Sequence, residues 1–336
     1  MAHEIGEMFW YGSVPWHGLG RYVPQPLDLD DALAQGGLDW TVKLVPIVTA
    51  DGASSPAPHR MAVVREDRAP AHPQRVVGVV HPGFRPLQNR EGGELFDRLF
   101  DPGARKYHTG GYLRNGEVVW LLARLPENIR IGDDDVVEPY LLYSNSHDGS
   151  QPIDIRLTTV RVVCRNTLSF ALRSGVARTF RWRHRDDPAV VEREAKAFLQ
   201  LTTAQLREQE KGFRTLAART CDDEAFRRFL TALMPDPAPP AGVNTSSAAA
   251  RSFETRRAHI AEARAAVERI RFNGLPDRDI PVDAPTWWGA VNAVTAWVDH
   301  AQVVRGDRYA HALFGAGDRF KSRAFELATA TTTTTK

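Results

Sequence analysis

Up to about residue 185 the apolar positions fall in short β-branched runs, and beyond Pro188 they recur at helical intervals. DWTVKLVPIVT (39–49), RMAVVRE (60–66) and RVVGVVHPGFRP (75–86) predict strands. KYHTGGYLRNGEVVWLLARLP (106–126) predicts a hairpin, because Asn115-Gly116 supplies the positive φ that a tight turn between strands requires. VVEPYLLYSNS (136–146) and PIDIRLTTVRVVC (152–164) are further strands. Three short helices interrupt this region: DLDDALAQG (28–36), NREGGELFDRLFD (89–101) and NTLSFALRSG (166–175), the last capped by Asn166 and ended by Gly175. Pro188 opens a long helix. Others follow near 222–234, over roughly 251–272 and over 286–304, where Trp287, Val291, Val294, Val298 and Ala301 share a face. Strands first and helices afterwards predict an α+β fold with a twisted, mostly antiparallel sheet on which the helical half packs. The division is a strand-rich core over 1–187 and a helical part over 188–330, with a linker at about 234–250. The tail 331–336, almost all threonine, is expected to be disordered.

Composition narrows the classes. Apolar residues make up 43% and charged residues 25%, ordinary for a globular chain. Cys164 and Cys221 are far apart and form no CxxC, which argues against a disulfide framework or structural zinc and for a reducing, cytoplasmic setting. The start MAHEIGEMFWYG lacks the charged and apolar regions of a signal peptide, and no run is long enough to span a membrane, so no membrane partner is expected. Net charge is only +2, so the distribution of charge matters more than its sum.

That distribution is uneven. From Arg156 to Arg185 the chain carries eight arginines and no acidic residue. In RTFRWRHRDDP (178–188) arginines alternate with large rings. As a strand, this stretch places Phe180, Trp182 and His184 on one face and Arg181, Arg183 and Arg185 on the other. The guanidinium tips then lie about 7 Å apart, comparable to adjacent phosphates on an extended nucleic-acid strand. Arg161 and Arg165 share a face of their strand, Arg156 falls on the opposite one, and the predicted helix after Asn166 would add free amides. The competing reading is an edge strand protected by charge, with Arg183 and Arg185 neutralising Asp186 and Asp187.

Other motifs carry weaker chemistry. PWHGLG (15–20) is a tight loop in which Trp16 anchors and His17 is either a hydrogen-bonded structural group or a ligand or base. In YSNSHDGS (143–150), Asn145, His147 and Asp148 are candidate ligands or acid/base groups, while Asp148-Gly149 also reads as an ordinary turn. His300 would join a metal site only if the fold gathered it with His17, His147 and Asp148. Asn292, Thr295 and Asp299 read as a solvated helix stripe or a docking surface, Trp287 and Trp288 as core, and Lys321 and Arg323 as basic surface or helix-end charges.

Taken in order, PWHGLG, GFRPLQN (83–89), YSNSHDGS, RVVCRNTL (161–168), NAVTAWVDH (292–300) and RFKSRAFEL (319–327) resemble the phage/plasmid-like protein family, a domain of unknown function. The resemblance implies a mobile-element origin and brings no activity or catalytic residue. The order hairpin, strand, strand, helix over 107–175 is also similar to the core of phage single-strand annealing proteins, which act as assemblies, so a homo-oligomer is expected on that analogy. The reading is a non-enzymatic, cofactor-free protein that binds single-stranded DNA in preference to duplex, for annealing or recombination. Its contacts are Arg156, Arg161, Arg165, Arg178, Arg181, Arg183 and Arg185, with Trp16, His17, Asn145, His147 and Asp148 in an accessory loop region. The alternatives are a metal-dependent enzyme using His17, His147 and Asp148, and a protein that binds a host factor.

Overall fold

The structure is a computed structural model that describes residues 5–12, 19–50, 55–67, 76–100, 103–131, 136–161, 167–168, 179–182, 188–239, 247–274, 285–304, 311–312 and 315–334. In chain order the strands and helices begin with β1 (Ile5–Tyr11), β2 (Arg21–Val23), α1 (Leu29–Gln35), β3 (Trp40–Val48), β4 (Pro56–Asp67), β5 (Val76–Val80) and α2 (Asn89–Asp97). They continue with β6 (Tyr107–Leu113), β7 (Val118–Arg124), β8 (Ile129–Arg130), β9 (Val136–Ser146), β10 (Ile153–Arg161), β11 (Thr167–Leu168) and β12 (Thr179–Trp182). The helical part holds α3 (Pro188–Ala218), α4 (Asp223–Leu233), α5 (Ser247–Asn273), α6 (Trp287–Ala296) with a π-helical turn at Trp297–Ala301, and α7 (Ala316–Thr334). The fold is α+β.

The chain divides into two compact units, not at 187. One comprises Met1–Glu127, Pro139–Thr158 and Ser174–Gln205; the other comprises Asn128–Glu138, Thr159–Arg173 and Leu206–Lys336. The first half of α3, as far as Gln205, and the strand β12 therefore belong with the sheet.

In the first unit the main sheet runs β10-β9-β7-β6-β1-β2, with β12 on the outer side of β10. The Asn115-Gly116 turn is where the sequence places it: Arg114 and Gly116 take φ of 51° and 104°, and Leu113 faces Val118 across it. β7 is buried on both faces over Val118–Ala123, which explains why its apolar run does not alternate. β1 and β2 were not predicted. Glycine and glutamate break the apolar pattern of IGEMFWY, yet β1 pairs antiparallel with β6 and parallel with β2 and buries Phe9 completely. α1 and α2 cover one face through Leu33, Leu95 and Phe96, and Phe96 stacks on Tyr143 at 5.6 Å. Gly92 allows this approach, since a Cβ there would lie 1.9 Å from the Tyr143 hydroxyl.

A second, smaller antiparallel sheet runs β3-β4-β5. The outer side of β3 meets a side chain: the Gln88 amide accepts from the Val42 N–H and donates to the Val42 carbonyl, each at 2.9 Å, as a neighbouring strand would. Arg65 of β4 lies over Trp40 and Tyr112, its guanidinium carbon 4.4 and 4.7 Å from the ring centroids.

The β6–β7 register shifts between Tyr107 and Thr109, so His108 occupies a bulge. Its ring sits 4.9 Å from Tyr11, and its Nδ1 lies 3.1 Å from the Tyr140 hydroxyl. Burial, aided by the Arg124 charge, lowers its pKa from 6.5 to about 4. The folded value lies below the unfolded one, so the neutral ring stabilises the fold above pH 6.5 and that contribution is lost as pH falls towards 4. Denaturant midpoints measured across this window are expected to decline in the parent chain and to flatten in His108→Gln; an NMR titration of His108 with an ordinary midpoint would contradict the assignment.

In the second unit the residues of α6 are buried all round, the signature of a central helix, and α4, α5, α7 and the end of α3 surround it. Phe213 packs on Trp288 at 4.9 Å and Phe325 at 5.6 Å, and Phe229 meets Trp287 edge-on. Buried Arg271 binds the Cys221 carbonyl and lies 4.1 Å over the Phe226 ring, tying the end of α5 to the segment before α4. Burial raises the Cys221 thiol pKa. Two expectations are corrected here. Thr167–Leu168, expected in the first turn of a helix, pair with β10 as a strand, and Arg165 and Asn166 lie outside the described residues. The threonine-rich tail is helical to Thr334: Thr329 and Thr331 return their hydroxyls to carbonyls four residues back, and Ala328 and Thr332 are buried.

Candidate nucleic-acid interface

The arginine-rich stretch enters the structure as β12, antiparallel to β10, with Asp154 opposite Arg181, Ile155 opposite Phe180 and Arg156 opposite Thr179. Strand alternation separates rings from charge as the sequence predicts. Trp182 is buried and Phe180 half-buried, and Phe180 lies 5.3 Å from Trp182 and 6.2 Å from Phe198 of α3. The aromatic residues thus fix the strand, and Arg181 projects from the other side with 59% of its side chain exposed.

Beneath Arg181 lies one buried carboxylate. Asp154 is 2% exposed and accepts from the Ser144 hydroxyl at 2.8 Å and from Arg156 Nε at 3.3 Å, with a second Arg156 nitrogen on its other oxygen. Arg181 approaches that oxygen with Nε at 3.8 Å. Two guanidinium groups therefore share one carboxylate and leave a net positive charge. Arg156 satisfies Asp154 from within. Arg181 is held loosely by its Nε side, and its terminal nitrogens, the fork that clasps oxyanions, take no closer part in that pair.

Arg156 is consequently not a phosphate contact: it is nine-tenths buried and committed to Asp154. Arg161 ends β10 and belongs to the second unit. Arg165, Arg178, Arg183 and Arg185, and likewise Trp16 and His17, lie outside the described residues.

YSNSHDGS and GFRPLQN meet in a buried network. Asn145 donates to the Leu87 carbonyl at 3.1 Å, and His147 Nε2 lies 2.9 Å from Asn89 Oδ1. The Asn89 amide donates to the carbonyls of Leu38 and Trp40 at 3.0 and 3.3 Å. Its oxygen therefore faces His147, and His147 must carry its proton on Nε2. The His147 ring is fully buried and 5.2 Å from Trp40. A donor in that position does not ligate a metal or take up a proton through Nε2. Asp148 shapes the turn: its Oδ1 accepts from the Ser150 N–H and hydroxyl, and Gly149 takes φ of 73°. Among the described residues no three His, Cys, Asp or Glu side chains come together as a metal site.

The stripe Asn292, Thr295 and Asp299 is buried, not solvated. Asn292 and Thr295 bond to carbonyls four residues back at 2.9 Å, and Asp299 in the π-helical turn pairs with Lys321 of α7 at 2.7 Å. Lys321 is therefore no surface charge, whereas Arg323 is exposed. The signal available in the sequence was that WWGAVNAVTAWV is apolar on every side, which marks a central helix whose polar residues point inward.

These features define an α+β protein of two units with one exposed arginine, Arg181, on β12 and no helix, among the described residues, long and apolar enough to cross a membrane. The chain belongs to the family described as Domain of unknown function (DUF932), which matches residues 76–314. No curated protein and no solved structure matches it.

Proposed function

We propose that the chain binds single-stranded nucleic acid along the edge of the main sheet, through Arg181 on β12 together with Arg183 and Arg185, which lie outside the described residues and which the sequence pattern alone assigns to the same face. The observation that carries this reading is the division of labour at Asp154. Arg156 neutralises the buried acid, and Arg181 stays largely exposed on a strand anchored by Phe180 and Trp182. Side chains two apart on a strand are spaced about 7 Å, which suits a phosphate backbone and carries no sequence information. The phage/plasmid resemblance supports a role in a mobile element, where such binding would serve annealing or recombination by an assembly of several copies.

The test is fluorescence anisotropy with a labelled single-stranded oligonucleotide at two salt concentrations. Affinity is expected to fall steeply with salt, and Arg181→Glu with Arg183→Glu and Arg185→Glu to weaken binding at least tenfold and flatten the salt dependence. Binding indifferent to salt, or unchanged in the triple variant, would reject this function.

A further inference from the structure

The small sheet has two edges of different chemistry. On β3, Val42 turns its N–H and carbonyl outward to the Gln88 amide. Alternation along the strand turns Pro46 outward too, where the missing N–H leaves no donor to pair. The β3 edge is therefore closed to a further strand at both places. The same alternation, carried through the pairs Val42 with Arg65, Val63 with Gly78 and Met61 with Val80, aims the backbone groups of Gly78 and Val80 at β4 and those of Val79 away from it. β5 is the last strand on that side, and among the described residues nothing pairs with its outer edge. Its sequence VVGVV has no charge and no proline, and Val76 and Val79 are 48% and 55% exposed. The β-bulge lies at its start, around Val77, so residues 78–80 keep a regular ladder.

Sheet edges are ordinarily guarded by charge, proline or a covering group, and an unguarded one recruits an extended strand. The chemistry on offer at β5 is a backbone donor and acceptor at Val79 beside a bare valine side chain, and the same strand of a second molecule matches it. Set antiparallel about a twofold axis through Val79, two β5 strands exchange N–H···O bonds between their Val79 residues. The exposed valine side chains then meet on the solvent face, and Gly78 of each copy stands opposite Val80 of the other. We propose that β5 is a self-association edge through which two copies of this chain join their small sheets into one of six strands, three from each. With both β3 edges blocked, the pair is closed and no third copy adds through this sheet. The contact is short, so the dimer is reversible and governed by protein concentration. The inference does not depend on the nucleic-acid reading.

Sedimentation velocity of the full chain without nucleic acid, over about a hundredfold range of protein concentration, is expected to show a monomer passing reversibly into a dimer and nothing larger. In the same solutions, amide hydrogen exchange over residues 76–80 should slow at least about tenfold from the lowest concentration to the highest. Val79→Lys sets two ammonium groups face to face across the axis and should leave a monomer at every concentration. Val79→Pro removes a donor that β4 does not use and should do the same, while Val79→Thr should keep the dimer. Val79 is exposed, so these changes spare the core, and exchange in the parent chain decides the matter even where a variant fails to fold. A parent that stays monomeric throughout, a dimer that survives Val79→Lys, exchange over 76–80 that ignores concentration, or growth beyond two copies overturns the proposal.

Discussion

Replacing Lys321 by Met is expected to cost about 3–5 kcal/mol of unfolding free energy, because it leaves Asp299 charged and buried without its counterion. The pair joins the π-helical turn to α7 at 2.7 Å, with 1% and 4% of the two side chains exposed. Methionine matches the lysine stem in length, so the loss is electrostatic and not a cavity effect. The double variant Asp299→Leu with Lys321→Met should recover most of the loss, since a buried ion pair exchanged for apolar groups of similar size is often near neutral. Urea denaturation of the parent, both single variants and the double variant gives the coupling directly. A loss below about 1 kcal/mol for Lys321→Met would be the size expected of a solvent-exposed pair and would contradict the burial described.

Asn89→Ala should be of similar size, about 3–5 kcal/mol, for a different reason. One amide serves the Leu38 and Trp40 carbonyls and His147, and all of these bonds lie inside. Truncation leaves several buried polar groups unsatisfied at about 1–3 kcal/mol each, with water able to offset part of the loss. Asn89→Asp separates the roles, because it keeps an acceptor for His147 and removes the donor to the two carbonyls. It should be destabilising as well, and an effect on the scale of a surface substitution in both variants would show that the network does not hold these segments together. Thermal denaturation followed by far-ultraviolet circular dichroism is sufficient to measure it.

The parts of the fold that could be read from the chain are those where one local rule decided the outcome. Gly116 takes positive φ in the hairpin loop that Asn115-Gly116 signals, although its other left-handed residue is Arg114 and not Asn115, and Asp28 caps α1 by accepting from the Asp31 N–H. Phe180, Arg181 and Trp182 separate across β12 as alternation requires. The failures come where tertiary context overrides the local pattern. NTLSFALRSG carries both helix-cap signals, yet Thr167 and Leu168 are drawn into the ladder of β10. Asn292, Thr295 and Asp299 look solvated in a helical projection until α6 is recognised as surrounded, and only then does Lys321 become the counterion. Arg156 shows the limit most plainly: charge density in the sequence singled it out, but not that Asp154, two residues earlier, occupies this guanidinium. His147 and Asn89 are fifty-eight positions apart, a contact that no local rule could supply.

The Gln88 amide on Val42 has a consequence for how the molecule behaves at high concentration. A small sheet that ends in bare backbone is a template for growth, and a foreign segment can add to it and begin a fibrillar assembly. Here the N–H and carbonyl that an incoming chain would seek at the middle of β3 are already matched by a side chain anchored just ahead of α2. Recruitment on that side would first have to pull this amide away, so the native state carries its own barrier to templated polymerisation.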